Sequence, residues 1–315
     1  MLSYLLSRLL QAVVLLFLVS VVTFGLIHSA PGGPIILAQA DVSPRDIEAL
    51  KRTLELTDPL PIRYLKWVGR VLRGDFGRSF TQGVPVTSLM LERLPNTLLL
   101  SGVSLLLAVA VAVPLGVLSA ARRYTIIDHL ATLFAFLGMS IPGFWLGIVL
   151  IIVFAVQLRW LPSGGMYTLG APFSIADRLR YIILPSLVLA AFVVGQLLRY
   201  TRSGMISALG EDYVRTARAK GLPERAVLFG HALRNTLIPV VTVLGLQIPR
   251  LVGGAAVTES VFAWPGMGRL AVDAAFQRDY PLIMGVTMLV SAVVIVSNLA
   301  VDLLYTYLDP RVRLR

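Results

Sequence analysis

Four positions carry polar or small side chains where the surrounding sequence is apolar. Gln247, Arg250, Gly254 and Thr258 recur at spacings of three, four and four residues, which places them on one helical face. A guanidinium is costly in hydrocarbon and must face protein or water. Such a stripe can line a polar path through a membrane. It can equally hold helices together, with Gly254 allowing close approach. The residues alone leave both readings open, and Gln196 and Asn298 are weaker candidates of the same kind. Other chemistry is poorly provided for. His28, His129 and His231 form no His-x-x-x-His pair, and the chain has no cysteine, which excludes thiolate metal sites and cysteine nucleophiles. There is no Gly-x-x-x-x-Gly-Lys-[Ser/Thr], so any ATP must be bound by another chain. Gly266-Met267-Gly268-Arg269-Leu270-Ala271 copies a dinucleotide spacing, but it follows Trp264-Pro265 without a βαβ unit and reads as a turn. Asp302 reads as an interfacial acid near the end of the last span rather than a proton relay.

The elements that position these residues follow from composition. The 315 residues are 57% hydrophobic and only 14% charged, against roughly 45–50% and about 25% for a soluble domain. Six segments are long and apolar enough to span a bilayer: 9–29, 97–121, 131–156, 181–198, 237–257 and 281–305. The predicted fold is therefore an all-α membrane protein with six transmembrane helices. The first run, Leu9 to Ile27, is too long for a signal-peptide core and His28-Ser29-Ala30 is a poor cleavage site, so it reads as a retained anchor. With the N-terminus in the cytoplasm, the short inner loops hold Arg122, Arg123, Arg199, Arg202 and the basic run 215–234. The short outer loops hold Arg159, Arg178, Arg180, Arg269 and Arg278. This bias puts both termini inside, and the net charge of +11 then reflects topology rather than nucleic acid. Gly138, Pro142, Gly143 and Gly147 should kink the third span or let it pack tightly.

Two loops are too long to be mere connections. The outer one, 31–96, predicts a small helical insertion after the first span. Ser43-Pro44 reads as a helix start followed by Ile47, Leu50 and Leu54, and a second stretch runs through Ile62, Leu65, Val68 and Leu72 to Gly74. The domain reading is thus 1–95 for the first span and its outer loop, 96–305 for a five-helix core containing the cytoplasmic loop 199–236, and 306–315 for a cytoplasmic tail. Within that inner loop, Asp212, Tyr213, Arg215, Thr216, Ala217 and Lys220 predict a short helix, acidic at its start and basic at its end as the helix dipole prefers. Gly221 suits a left-handed cap, and Leu222-Pro223-Glu224 opens a second short helix with proline in its first turn. His231 and Arg234 continue the charged surface toward the fifth span. The loop is either a solvated, positively charged connection or a rigid helix pair able to transmit force.

Seven motifs occur in order along the chain. They are Leu5-Leu6-Ser7-Arg8-Leu9-Leu10 running into Ser29-Ala30-Pro31-Gly32; Glu92-Arg93-Leu94-Pro95-Asn96-Thr97; Ser140-Ile141-Pro142-Gly143-Phe144-Trp145-Leu146-Gly147; the run Asp212 to Gly221; His231-Ala232-Leu233-Arg234-Asn235; Val261-Phe262-Ala263-Trp264-Pro265-Gly266; and Asp309-Pro310-Arg311. On these the chain resembles, almost end to end, the permease subunits of binding-protein-dependent ABC importers, in particular the dipeptide/oligopeptide group. The resemblance implies a type I ABC importer permease fold and half of a translocation pathway for peptides across a bacterial cytoplasmic (inner) membrane. Nickel and glutathione are alternative cargoes of the same architecture. It implies no cofactor in this chain, ATP and Mg bound by two cytoplasmic ATPase subunits, a homologous second permease forming a heterodimer, and an extracytoplasmic substrate-binding protein. It also implies that the inner loop docks in an ATPase cleft. The broader family reads Glu-Ala-Ala-x-x-x-Gly there, then Ile-x-Leu-Pro. Alignment on Gly221 matches Ala217, Gly221 and Leu233, while Arg215, His231 and Arg234 depart from the pattern. A stand-alone secondary transporter would instead predict mid-membrane acids and inverted repeats. An anchored structural protein would leave the charged loop without a role, and an enzyme lacks a catalytic set.

Overall fold

The computed structural model describes residues 2–30, 33, 34, 48 and 53–308, all helices and connections apart from an isolated antiparallel bridge between Arg78 and Pro85. The predicted helix start at Ser43-Pro44, with Ile47 and Leu50, lies outside the described residues. The contacts of the chain divide it into two units, Met1–Thr97 with Pro265–Ile295, and Leu98–Trp264 with Val296–Arg315.

The first unit contains α1 (Leu2–Ser29), α2 (Leu60–Val71), the start of α3 (Val86–Ala121) and, from the far end of the chain, α9 (Met267–Gln277) and the start of α10 (Tyr280–Leu308). The second predicted stretch of the outer loop does form a helix, α2. Its apolar stripe does not pack inward: Ile62, Leu65 and Leu72 are exposed. The opposite face packs inward. Tyr64 Oη meets Ser20 Oγ at 2.8 Å, its ring lies edge-on to Phe24, and Trp67 is buried. Hydroxyls and aromatic edges on α1 attract this face, so the aliphatic stripe remains for lipid or another chain. Asp279, fully buried, holds α10 to the outer loop. Its carboxylate accepts from Ser79 Oγ (2.5 Å), Thr81 N (3.2 Å) and Thr81 Oγ1 (3.0 Å), and caps α10 through Leu282 N (3.3 Å).

The second unit is built around α6 (Ile175–Leu209). Its inward residues, among them Ala190, Val193 and Leu197, pack with Ala108 and Ala112 of α3, Ala131 and Ala135 of α4 (Ile126–Ser140), and Val240 of α8 (Leu233–Val261). Small side chains let the backbones approach closely. A Cβ on Gly195 would lie 2.5 Å from the Ala135 carbonyl oxygen, and one on Gly138 would lie 2.5 Å from that of Ala191. These two glycines face each other's helices, which fixes the α4–α6 crossing. The third predicted span, 131–156, is broken rather than kinked. Pro142 lacks an N–H and pushes Ile141 into extended backbone (φ −77°, ψ 124°), so α4 stops at Ser140. The chain restarts as α5 (Gly143–Leu150), continues as a π-helical turn (Ile151–Gln157), and leaves α4 at an angle of 104°. Among the described residues, α1, α3, α6 and α10 are long and apolar enough to cross a membrane, and the bent pair makes a fifth if it is one span. The segment predicted at 237–257 lies within the 29-residue helix α8.

Candidate coupling site

Beyond α6 the chain turns at Gly210-Glu211 into α7 (Asp212–Ala219), with Asp212 in its first turn and Arg218 in its last. Val214 and Ala217, one turn apart, face inward. They are buried with Val117 and Ala120 of α3, Met205 and Ala208 of α6, and Val227 and Ala232 of the next segment. Burying Val214 contributes about 1.5 kcal/mol. Asp212, Tyr213, Arg215, Thr216 and Lys220 are all exposed. Of the residues singled out on this helix, Ala217 therefore anchors it, while the others form its outer surface.

The corner after α7 has a defined geometry. Gly221 adopts φ +75°, its N–H donates to Arg218 O at 2.9 Å, and Leu222 N donates to Ala217 O at 3.4 Å. This pair of bonds is the glycine-terminated helix end predicted from sequence. A Cβ at Gly221 would meet nothing within 4 Å, so backbone conformation alone demands glycine there. Past the corner the structure corrects two expectations. Pro223 occupies the N-cap, immediately before the first helical residue, rather than the first turn. The second helix is also not separate: Glu224–Ala226 passes through a π-helical turn, Val227–Ala232, directly into α8. Ala226 (φ −69°) and Leu233 (φ −61°) both keep right-handed helical backbone, with no glycine or proline between Glu224 and Phe229 to end the helix. The wider turn lets Val227 and Ala232 both reach the same buried cluster. Insertions of this kind recur at functional sites.

An ion pair spans the corner. Arg218 Nη2 and Nε donate to Glu224 Oε1 and Oε2 at 2.6 and 3.2 Å. These bonds hold the Glu224 carboxyl below its ordinary pKa and raise that of Arg218. Both side chains are solvated, so the pair sets geometry more than stability. Arg215 makes a looser contact with Asp212 at 3.3 Å. Leu222, Pro223, Glu224, His231 and Arg234 extend the exposed surface. Tyr213, Leu222 and Phe229 add apolar area to it. Phe229 was missed in the sequence, where the available signal was an aromatic residue off the Val227–Ala232 stripe.

A second missed constellation lies beside these anchors on α3 and α6. Asp128, only 2% exposed, accepts from Ser119 Oγ at 2.5 Å, Tyr124 N at 2.9 Å, and Arg202 Nε and Nη2 at 2.6 and 2.8 Å. It ties the end of α3, the start of α4 and the body of α6 together. Ser119 lies between the anchors Val117 and Ala120, and Arg202 lies one turn before Met205. The partners are far apart in sequence, so no local pattern announces them.

The polar stripe of the fifth segment is only partly visible. Gln247 is buried and donates from Nε2 to Gln196 Oε1 at 2.6 Å, an interhelical bond between α8 and α6. Thr258 is buried, and so is its neighbour Glu259, just past the predicted span. The side chains of Arg250 and Gly254 lie outside the described residues. Gly266 is the N-cap of α9, and Met267 N donates to Thr97 Oγ1 at 2.8 Å, so the apparent dinucleotide motif is a helix start already occupied by a side chain.

A family model described as a binding-protein-dependent transport system inner membrane component matches residues 112–314. The corresponding N-terminal model of the membrane component matches residues 1–101. The chain belongs to this permease family. The permease is 46% identical, over 99% of both chains, to the oligopeptide transport system permease protein AppB of Bacillus subtilis. It is 37% identical, again over 99% of both, to the dipeptide transport system permease protein DppB of Escherichia coli K12. A chain of the inward-facing MetNI methionine ABC transporter superposes with a TM-score of 0.54 at 18% identity, covering 71% of the permease and 97% of that chain, which is a likeness of fold.

Proposed function

We propose that the permease forms half of a peptide pathway through a bacterial cytoplasmic membrane and that residues 211–235 couple it to ATP hydrolysis on partner subunits. In this reading the chain crosses the membrane six times with both termini in the cytoplasm. It pairs with a homologous second permease, engages two ATPase subunits that bind ATP and Mg, and receives cargo from an extracytoplasmic binding protein. The 1–95 region supplies the first span and outer insertion, 96–305 the transporting core, and 306–315 an inner tail. Peptide cargo is supported by the full-length similarity to AppB and DppB.

The observation that carries the coupling role is the construction of the corner. Buried anchors at Val214, Ala217, Val227 and Ala232 fix an exposed face bearing Arg215, Lys220, His231 and Arg234, and the part of that face beyond the Gly221 corner continues by unbroken helix into α8. A push on α7 therefore reaches α8 through the corner and the shared anchors, biasing the equilibrium between inward and outward openings. The stripe Gln247, Arg250, Gly254 and Thr258 borders the pathway in this scheme, and the Gln247–Gln196 bond sets the spacing of α8 from α6. Because the sequence has no cysteine, Arg215→Cys introduces a single thiol. In the assembled transporter this thiol should cross-link to an ATPase subunit, and reconstituted vesicles should take up peptide only with ATP and the binding protein. Uptake by the permeases without any ATPase would overturn the proposal.

A further inference from the structure

The first unit contains a cavity of about 750 Å³ that the transport scheme does not use. Its walls are the Phe24–His28 end of α1, the inward face of α2, the 75–85 loop and the start of α10 at Tyr280. The lining holds one unmatched donor and two guanidiniums bonded to neutral partners. Trp67 is 8% exposed, and its indole Nε1 is buried without an acceptor, a condition native proteins rarely tolerate. Arg63 Nη2 lies 2.7 Å from His28 Nε2. His28 Nδ1, 2.7 Å from the Phe24 carbonyl oxygen, must be the protonated nitrogen, so Arg63 donates to a neutral imidazole, and Asp58 and Glu55 act on its charge only through space. Arg78 donates to Gly83 O at 3.1 Å, and like Arg63 it has no carboxylate partner among the described residues. Of the other charges of the cavity, Arg70 pairs with Glu55 at 3.0 Å, while Asp75 accepts from the neutral Gly77 N at 2.8 Å.

We infer that this cavity binds the headgroup phosphate of an anionic phospholipid. Two guanidiniums and an indole N–H form a donor set suited to an oxyanion. The volume far exceeds a bare ion, and the walls include the rings of Phe24, Tyr280 and Phe76. Both helical walls continue as apolar spans, with only 6% of the spanning window buried in α1 and 22% in α10. Acyl chains can lie along them while the aromatic residues sit at headgroup level.

The test uses the assembled transporter, stripped of lipid, titrated with phosphatidylglycerol and read by native mass spectrometry. The wild type should retain phosphatidylglycerol about tenfold more tightly than Arg63→Gln/Arg78→Gln, and more tightly than it retains zwitterionic phosphatidylcholine. Trp67→Phe, which removes the N–H together with part of the ring, should weaken retention about threefold at unchanged thermal stability. Equal retention by the wild type and both variants would overturn the assignment. So would ready displacement of the lipid by inorganic phosphate, which would make the cavity a site for free oxyanions.

Discussion

Helices α1 and α6 are both long and apolar enough to cross a membrane, yet 6% of the spanning window of α1 is buried against 61% in α6. Apolarity does not distinguish them; side-chain size and shape do. α1 presents Leu, Val and Phe almost all round, and a Cβ on Gly25 would touch nothing within 4 Å. α6 carries Ala190, Gly195, Gln196, Thr201 and Gly204 on faces that other helices contact. In lipid the hydrophobic effect cannot drive one helix onto another, so close packing and interhelical hydrogen bonds decide which helix forms the core.

The sharpest way to break this comparison is to enlarge a glycine on each helix. Gly195→Leu forces a side chain into the backbone of α4 and should cost about 3 kcal/mol or more. Gly25→Leu should stay within about 0.5 kcal/mol. Thermal unfolding of the purified complex reads both, and equal losses would show that α1 is packed as tightly as α6. Next in size is the buried clamp. Asp128→Asn should cost about 2–3 kcal/mol, reduced from a fully buried pair because Arg202 keeps some contact with solvent. The apolar double replacement Asp128→Leu/Arg202→Met should recover part of that loss, because the two positions are coupled. Failure to recover would assign the clamp a role other than mutual charge compensation.

The legibility of the fold follows the same division. Helices declare themselves by apolar length, and the Gly221 corner by local cap chemistry. The break at Pro142 and the tight packing at Gly138 were foreshadowed by residue type, although the 104° angle was not. What the sequence hid is long-range. Asp128 with Arg202, Asp279 with Ser79 and Thr81, and Gln247 with Gln196 are joined only by the fold. The exposure of the α2 stripe was also hidden, because periodicity reports that a helix is amphipathic, not which medium each side meets.

Two smaller effects refine the account of the corner. Gly221→Ala should destabilise by about 1 kcal/mol through its positive φ alone, and Gly221→Asn by roughly half of that, since asparagine tolerates this backbone. Equal effects would point to a steric cause that the open space there does not supply. Smallest is Arg218→Ala, expected to change stability by less than about 0.5 kcal/mol and to lose even that effect in high salt.

The coupling role proposed for the corner is tested most directly by Gly221→Pro in the reconstituted transporter, with ATP hydrolysis and peptide uptake measured on the same vesicles. Proline cannot adopt φ +75° and removes the N–H that bonds Arg218 O, so the corner opens. Hydrolysis should persist while uptake per ATP collapses. Unchanged uptake per ATP would show that the force travels by another route.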